Sequence, residues 1–300
     1  MKYKSIFKLC LLTTFLSVAT ISCDDWTEME IHDSQVNGFK EQNPQEYAAY
    51  TQNLRAYKAT KHAVVYARLD NAPEVSTGEK DFLRALPDSI DIVTMRNADR
   101  LSEYDREDMK LVREDYGTKV LYYIDCTAKD KLNTSITSAV EAVRTGTFDG
   151  LALGSEGSAV DVSALKSLLD ALGQTPCLLV FEGTPSLLPE AQRSLFNYFV
   201  LDISAASDEY DIETSVFYAT GYGKAAPDRL LLAVTPDGTL TDYNGVTRNA
   251  IAGAAYGALN METPLGGIAI YNISADYYDT DIIYKQTRGG IQFLNPASAH

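Results

Sequence analysis

Two carboxylates bracket a short glycine-rich run: in FDGLALGSEG, residues 148–157, Asp149 precedes Glu156 with Ala152 and Gly154 between them. A glutamate at the end of a strand is a residue type that can pass a proton to a leaving group. The other groups that can meet a ligand beside it are Tyr66, Tyr123, Glu182, Asp202, Tyr271 and Asn272, each at or near the end of an apolar run. The histidines narrow the chemistry further. His32 lies in a polar N-terminal stretch, His62 opens the first apolar run and His300 is the last residue. A Ser-His-Asp or Cys-His relay needs its base hydrogen-bonded to the nucleophile, and the usual catalytic zinc sets contain histidine, so both are disfavoured. No EF-hand loop or P-loop is visible, and neither a metal nor a cofactor is expected. What remains is carboxylate chemistry, or a site that holds a ligand without reacting with it.

The elements that must position these groups recur regularly. Short apolar, β-branched and aromatic runs cover 62–68, 90–95, 119–124, 148–153, 177–181, 198–203, 230–234 and 267–271, with helical patterns such as 101–115 and 162–172 between them and a last helix from Asp281. Strands that are apolar on both faces belong to a parallel sheet covered by helices. Eight such units over roughly 240 residues predict an α/β fold, a (β/α)8 TIM barrel, whose active sites sit at the C-terminal strand ends. A doubly wound open sheet would bring a glycine-rich phosphate loop after its first strand, and Arg68-Leu69-Asp70-Asn71 offers none. The expected organisation is a signal peptide over 1–22, a tether over 23–43, and a single barrel domain over 44–300 that begins with a helix.

Composition and the N-terminus narrow the partners. A net charge of −15 and pI ≈ 4.6 argue against nucleic acid, and 19 tyrosines suit a neutral, hydroxyl-rich ligand. Lys2, Lys4 and Lys8 followed by an apolar run from Leu9 to Ala19 have the form of a secretory signal, too short for a membrane span. The run closes on Thr20-Ile21-Ser22-Cys23, which resembles a bacterial lipobox, so Cys23 is the expected lipidation site and the membrane a partner through that lipid. Asp24-Asp25 resembles a surface-export signal of Gram-negative bacteria. The expected location is therefore the outer membrane at the cell surface, with the periplasm-facing leaflet as the other option. Cys126 and Cys177 fall at opposite ends of their strands, too far apart for a disulfide, and read as small buried apolar residues.

Four stretches, in order and at barrel spacing, resemble glycoside hydrolase family 18, the group of chitinases and endo-β-N-acetylglucosaminidases: 87–93 (PDSIDIV), 117–121 (GTKVL), the motif from Asp149 to Glu156, and 266–272 (GGIAIYN). The resemblance covers roughly 61–290. The family motif is D-x-x-D-x-D-x-E on the fourth strand. It implies Glu156 as the acid and, at the position of Gly154, an Asp that orients the substrate's N-acetyl group, whose own carbonyl is the nucleophile. Ala152 and Gly154 replace two of the four carboxylates. On strand six, Leu201-Asp202-Ile203 stands where the family carries a tyrosine. Residues 152, 154 and 156 are expected on one face, with the two small residues enlarging the pocket beneath Glu156.

The resemblance thus implies a catalytically impaired barrel that binds N-acetylglucosamine-containing glycans, of N-glycan or chitin type, through Tyr66, Tyr123 and Tyr271 as stacking faces and Glu156, Glu182, Asp202 and Asn272 as polar contacts. A glycan-import complex is a possible further partner. Two alternatives stay open: an active glycosidase in which Glu182 or Asp202 replaces the lost Asp, and a structural barrel without a ligand.

Overall fold

The computed structural model describes residues 39–71 and 78–296. The signal, Cys23 and most of the tether lie outside them. The chain divides into two units, Met1–Ala48 and Ala49–His300. In the first, Phe39 meets Tyr47 edge-on at 6.4 Å and the Lys40 ammonium lies over the Tyr47 ring.

The second unit is a closed eight-stranded parallel barrel of β1 (Val64–Leu69), β2 (Ile92–Met95), β3 (Lys119–Asp125), β4 (Gly150–Gly154), β5 (Leu178–Glu182), β6 (Tyr198–Asp202), β7 (Leu230–Val234) and β10 (Gly267–Ile270), with β10 pairing β1 to close the ring. The expected (β/α)8 barrel is the fold observed. The strands are buried on both faces because one set of side chains meets the surrounding helices and the alternate set fills the interior. The inner set includes Val64, Tyr66, Ile92, Leu121, Tyr123, Ala152, Val180, Val200, Leu231, Ala233, Ala269 and Tyr271. Large and small residues alternate around this ring, Tyr66 opposite Ala269 and Tyr123 opposite Ala152. The Gly-Gly entry to β10 has a steric cause. Gly267 has φ 147° and a Cβ there would stand 2.0 Å from the carbonyl oxygen of Val64.

Helices Glu103–Glu114, Leu132–Arg144, Val162–Leu172, Glu209–Phe217, Ala250–Asn260 and Lys285–Leu294 pack outside the ring. The first has a reciprocal cap, Ser102 Oγ accepting from the Asp105 backbone and Asp105 accepting from that of Ser102. Three features depart from the expected repeat. Between β1 and β2 the described residues form two 3₁₀ turns, Glu79–Asp81 and Leu83–Ala85, and between β5 and β6 only one 3₁₀ turn and the four-residue helix Glu190–Arg193 form. After β5, Pro185 and Pro189 leave only a short run before β6 in which a helix could propagate. Third, an antiparallel hairpin, β8 (Thr239–Thr241) with β9 (Thr247–Asn249), projects after β7.

The N-terminal mouth is a structural region. It opens into a cavity of ≈ 990 Å³ whose lining includes Lys58, His62, Asp91 and Tyr198. Lys58 Nζ donates to the carbonyls of Asp88 and Ile90, both at 2.6 Å, and to Thr118 Oγ1 at 2.9 Å. Burial lowers its pKa to about 8, against the opposing pull of Asp91 and Asp88. His62 Nε2 lies 2.9 Å from Asp91 Oδ1, and that hydrogen bond holds the imidazole above its ordinary 6.5 while burial opposes it. A histidine whose folded pKa is raised contributes stability fully below the unfolded value and loses it as pH rises through the folded one. The destabilisation of His62→Ala, measured by urea unfolding, is therefore expected to be ~1 kcal/mol larger at pH 5 than at pH 8.5. An equal loss at the two pH values would remove the ion pair from this account.

Candidate functional site

The C-terminal strand ends form the mouth where this fold places its chemistry. Side-chain alternation sets Tyr66 and Arg68 on one face of β1, Ala152 and Gly154 on that of β4, and Val180 and Glu182 on that of β5. The register then places Asp125 beside Gly154 and Gly154 beside Glu182.

Glu182 is the carboxylate at the centre, with its side chain 3% exposed. The buried Tyr66 hydroxyl donates to its Oε1 at 2.5 Å, Arg68 Nη1 donates to its Oε2 at 3.1 Å, and the Tyr66 hydroxyl also meets Thr94 Oγ1. The Arg68 guanidinium lies over the Tyr271 ring, 3.7 Å from its centroid, and Arg96 lies over Tyr123 at 4.4 Å. Burial first, and then the charge of Glu182, keep the phenols of Tyr66, Tyr271 and Tyr123 protonated far above their ordinary range. Burial is the largest influence and works against the Arg68 charge, but the charge and hydrogen bond of Glu182, with Tyr271 and Tyr123, together outweigh it, so the guanidinium is held more firmly than usual. The mouth is thus a carboxylate gripped by a cation and a neutral phenol, roofed by two arginine–tyrosine stacks. With a donor on each oxygen, the Glu182 carboxylate is fixed in place at the centre of the mouth.

Two expectations about the motif are corrected. Ala152 and Gly154 do not enlarge a pocket: a Cβ at Gly154 would stand 2.0 Å from the Tyr123 hydroxyl oxygen and 2.6 Å from Cζ, so the neighbouring strand's ring already fills that space. Nor does Glu156 share the face of 152 and 154. β4 ends at Gly154, and Glu156 itself is in the left-handed region at φ 44°, so the strand alternation does not extend to it. Glu156 is exposed.

The other motif acid, Asp149, sits at the opposite end of the barrel. Its Oδ2 lies 2.9 Å from Arg113 Nε and accepts from the Val120 backbone at 2.9 Å, bracing the start of β3. Tyr66, Tyr123, Tyr271 and Glu182 are brought together, but the three rings are buried at 0%, 7% and 6% exposure and fill the barrel instead of lining an open cleft. Asp202 and Asn272 are exposed on the rim, Asn272 in the left-handed region at φ 49°. Tyr198 begins β6 at the far mouth, so no tyrosine from that strand reaches the site. Cys126 and Cys177 are free and half-buried, and among the described residues no group of three His, Cys, Asp or Glu is placed to hold a metal.

Sequence reading did not pair Arg68 with Glu182, a relation set by strands four apart in the chain, and it passed over two exposed rim tyrosines, Tyr210 and Tyr243. The second was signalled by Asn244-Gly245 between Thr-rich runs, a hairpin turn that lifts its neighbours into solvent.

The closed eight-stranded parallel barrel is a fold shared with solved chitinases of glycoside hydrolase family 18. More narrowly, residues 27–152 match the model of glycoside hydrolase family 18, BT1044-like. Solved structures with the same fold include a selenomethionine Glu-to-Gln variant of BT1044, at 18% identity and TM-score 0.71, covering 86% of this chain and 95% of that one. The endo-β-N-acetylglucosaminidase of Cordyceps militaris follows at 16% identity and TM-score 0.60, covering 83% and 96%, and has also been solved as a double variant in complex with fucosyl-N-acetylglucosamine-Asn. A chitinase from Bacteroides thetaiotaomicron is similar at 14% identity and TM-score 0.52, covering 80% and 98%. No curated protein matches the sequence.

Proposed function

We propose that this chain is a lipid-anchored, catalytically impaired family 18-like barrel that binds N-acetylglucosamine-containing glycans at the outer membrane, beside a glycan-import complex. The observation that carries the reading is at Gly154. The position from which the family's Asp would orient the acetamide has no side chain, and the Tyr123 ring stands in its space. Removal of one preorganised electrostatic group costs ~10²–10³ in rate, and here the missing group would also position the attacking atom. The ligand class is supported by the Cordyceps militaris enzyme, whose solved complex holds a fucosylated N-acetylglucosamine-Asn. Cys23 supports the anchor, and among the described residues no helix is long and apolar enough to cross a membrane.

One observation favours a second reading, a residual glycosidase: Glu182 lies beside Gly154 in the register, so a carboxylate is present one strand away from the lost one, with Glu156 as acid. Incubation of the purified chain with high-mannose N-glycan and chitin oligosaccharides, following product release and binding heat together, separates the two. Binding heat without product is expected. Turnover that disappears in Glu156→Gln would establish the glycosidase instead, and absence of both heat and product across a broad glycan array would leave a barrel without a sugar ligand.

A further inference from the structure

The same rim carries a second, rigidly held aromatic surface. The loops after β6 and β7 are stitched together where the Thr241 backbone donates to the Ser207 carbonyl at 3.0 Å. Asp242 fixes the hairpin: its Oδ1 accepts from the backbones of Asn244 and Val246, both at 2.9 Å, and its Oδ2 from Arg248 Nη1 at 2.6 Å. The Tyr243 backbone donates to Glu209 Oε2 at 2.6 Å, tying the hairpin tip to the start of helix Glu209–Phe217. Asp208 caps that helix by accepting from the backbones of Tyr210 and Asp211.

All of this bracing holds two rings in solvent. Tyr210 and Tyr243 are 66% and 48% exposed, edge to face with centroids 4.6 Å apart. A cavity of ≈ 370 Å³ lies against them, lined also by Ser207, Asp208, Thr241 and Asp242. A fixed aromatic face bordered by hydroxyls and carboxylates fits the apolar C–H face of a sugar ring and the hydroxyls around it. Asp208, Glu209 and Asp242 against the single cation Arg248 make the ledge negative, which rejects sulfated, phosphorylated or carboxylated units.

We propose that Tyr210 and Tyr243 form a stacking ledge for a neutral pyranose unit of a glycan, a contact point separate from the Glu182 mouth. The proposal rests on the glycan-binding reading above for its ligand class, and the ledge receives the part of an extended chain that projects past the mouth. Because both backbones are hydrogen-bonded in place and the two rings pack against each other, stacking on them sacrifices less side-chain freedom than stacking on isolated exposed rings.

The test is calorimetry on the full chain with two probes, diacetylchitobiose and a high-mannose N-glycan, for the unaltered protein, Tyr210→Ala, Tyr243→Ala and Tyr243→Phe, with urea midpoints as a check on folding. Expected is a ~10-fold loss of high-mannose affinity in each alanine variant, retention in Tyr243→Phe, which keeps the aromatic face, and no change for diacetylchitobiose. High-mannose binding unaltered in both alanine variants would overturn the ledge while leaving the mouth reading intact. Loss in the alanine variants together with indifference to Glu156→Gln and Arg68→Ala would keep the ledge and overturn the mouth. No binding of either probe by the unaltered protein would overturn both.

Discussion

Arg68→Ala is expected to lower the unfolding free energy by about 3–5 kcal/mol, because it leaves a buried carboxylate without its cation. The Glu182 side chain is 3% exposed and has two donors, Arg68 Nη1 at 3.1 Å and the Tyr66 hydroxyl at 2.5 Å. A phenol alone cannot neutralise a full charge that has been taken out of water. The guanidinium does more than neutralise. Its Nε has no hydrogen-bond partner among the described residues, and its plane lies over the Tyr271 ring, so truncation also strips the face of that ring. The control is Glu182→Gln in the Arg68→Ala background. The amide keeps the volume and can still accept from Tyr66, but it carries no charge, so the double variant is expected to recover more than half of the loss in urea unfolding. A single-variant loss of only about 1 kcal/mol, with no recovery in the double variant, would mean that water enters freely when Arg68 is removed. Glu182 would then be a solvated group, and the picture of a plugged mouth would be wrong.

The barrel was readable in the sequence because its signal is local. β7 begins and ends where the Leu-rich run of 230–234 does, and helix Val162–Leu172 has the predicted bounds. The remaining strands shift by one to two residues, since terminal residues such as His62 and Phe148 are apolar or aromatic without entering the ladder. The shortened helix between β5 and β6 and the β8–β9 hairpin are failures of another kind: proline placement and an Asn-Gly turn were present but were outweighed by the expectation of a regular repeat.

The site was less legible because a barrel interior is shared. Reading β4 alone, Ala152 and Gly154 look like vacated space. Around the ring they are the small partners of large residues, Ala152 opposite Tyr123 on β3 as Ala269 is opposite Tyr66, and the volume is already taken. The three tyrosines at strand ends 66, 123 and 271 invited a stacking reading by position. Their parity, the same as that of Ala152, placed them inside. The departure of Glu156 from the strand depends on its own left-handed conformation, which a glutamate does not announce by type.

Restoring the family's carboxylate with Gly154→Asp is expected to yield no hydrolysis of chitin oligosaccharides and to cost about 1–3 kcal/mol of stability from overpacking. The new Cβ would fall 2.0 Å from the Tyr123 hydroxyl and 2.6–2.7 Å from two ring carbons, so loss of the hydroxyl alone in Tyr123→Phe does not make room. The ring is 7% exposed and lies under Arg96, which removes the easy route of swinging aside. The added charge would also stand next to Glu182 in the register, where two carboxylates disfavour each other's ionised form. Tyr123→Ala removes the obstacle, so Gly154→Asp and Tyr123→Ala are expected to be non-additive, the double variant being more stable than the sum of single losses predicts by ~1 kcal/mol or more. Catalysis should stay absent even then, because Glu156 lies beyond the end of β4, in a left-handed conformation and exposed, and not on the strand that carries position 154. A double-mutant cycle by urea unfolding, run alongside an assay of released sugar, reads both quantities on the same four proteins. Additive stabilities would show that the Tyr123 ring is not what fills the place of the lost side chain. Release of sugar by Gly154→Asp with Tyr123 intact would show that one carboxylate was all the barrel lacked, and the impairment would then reside in that single position and not in the packing of the mouth.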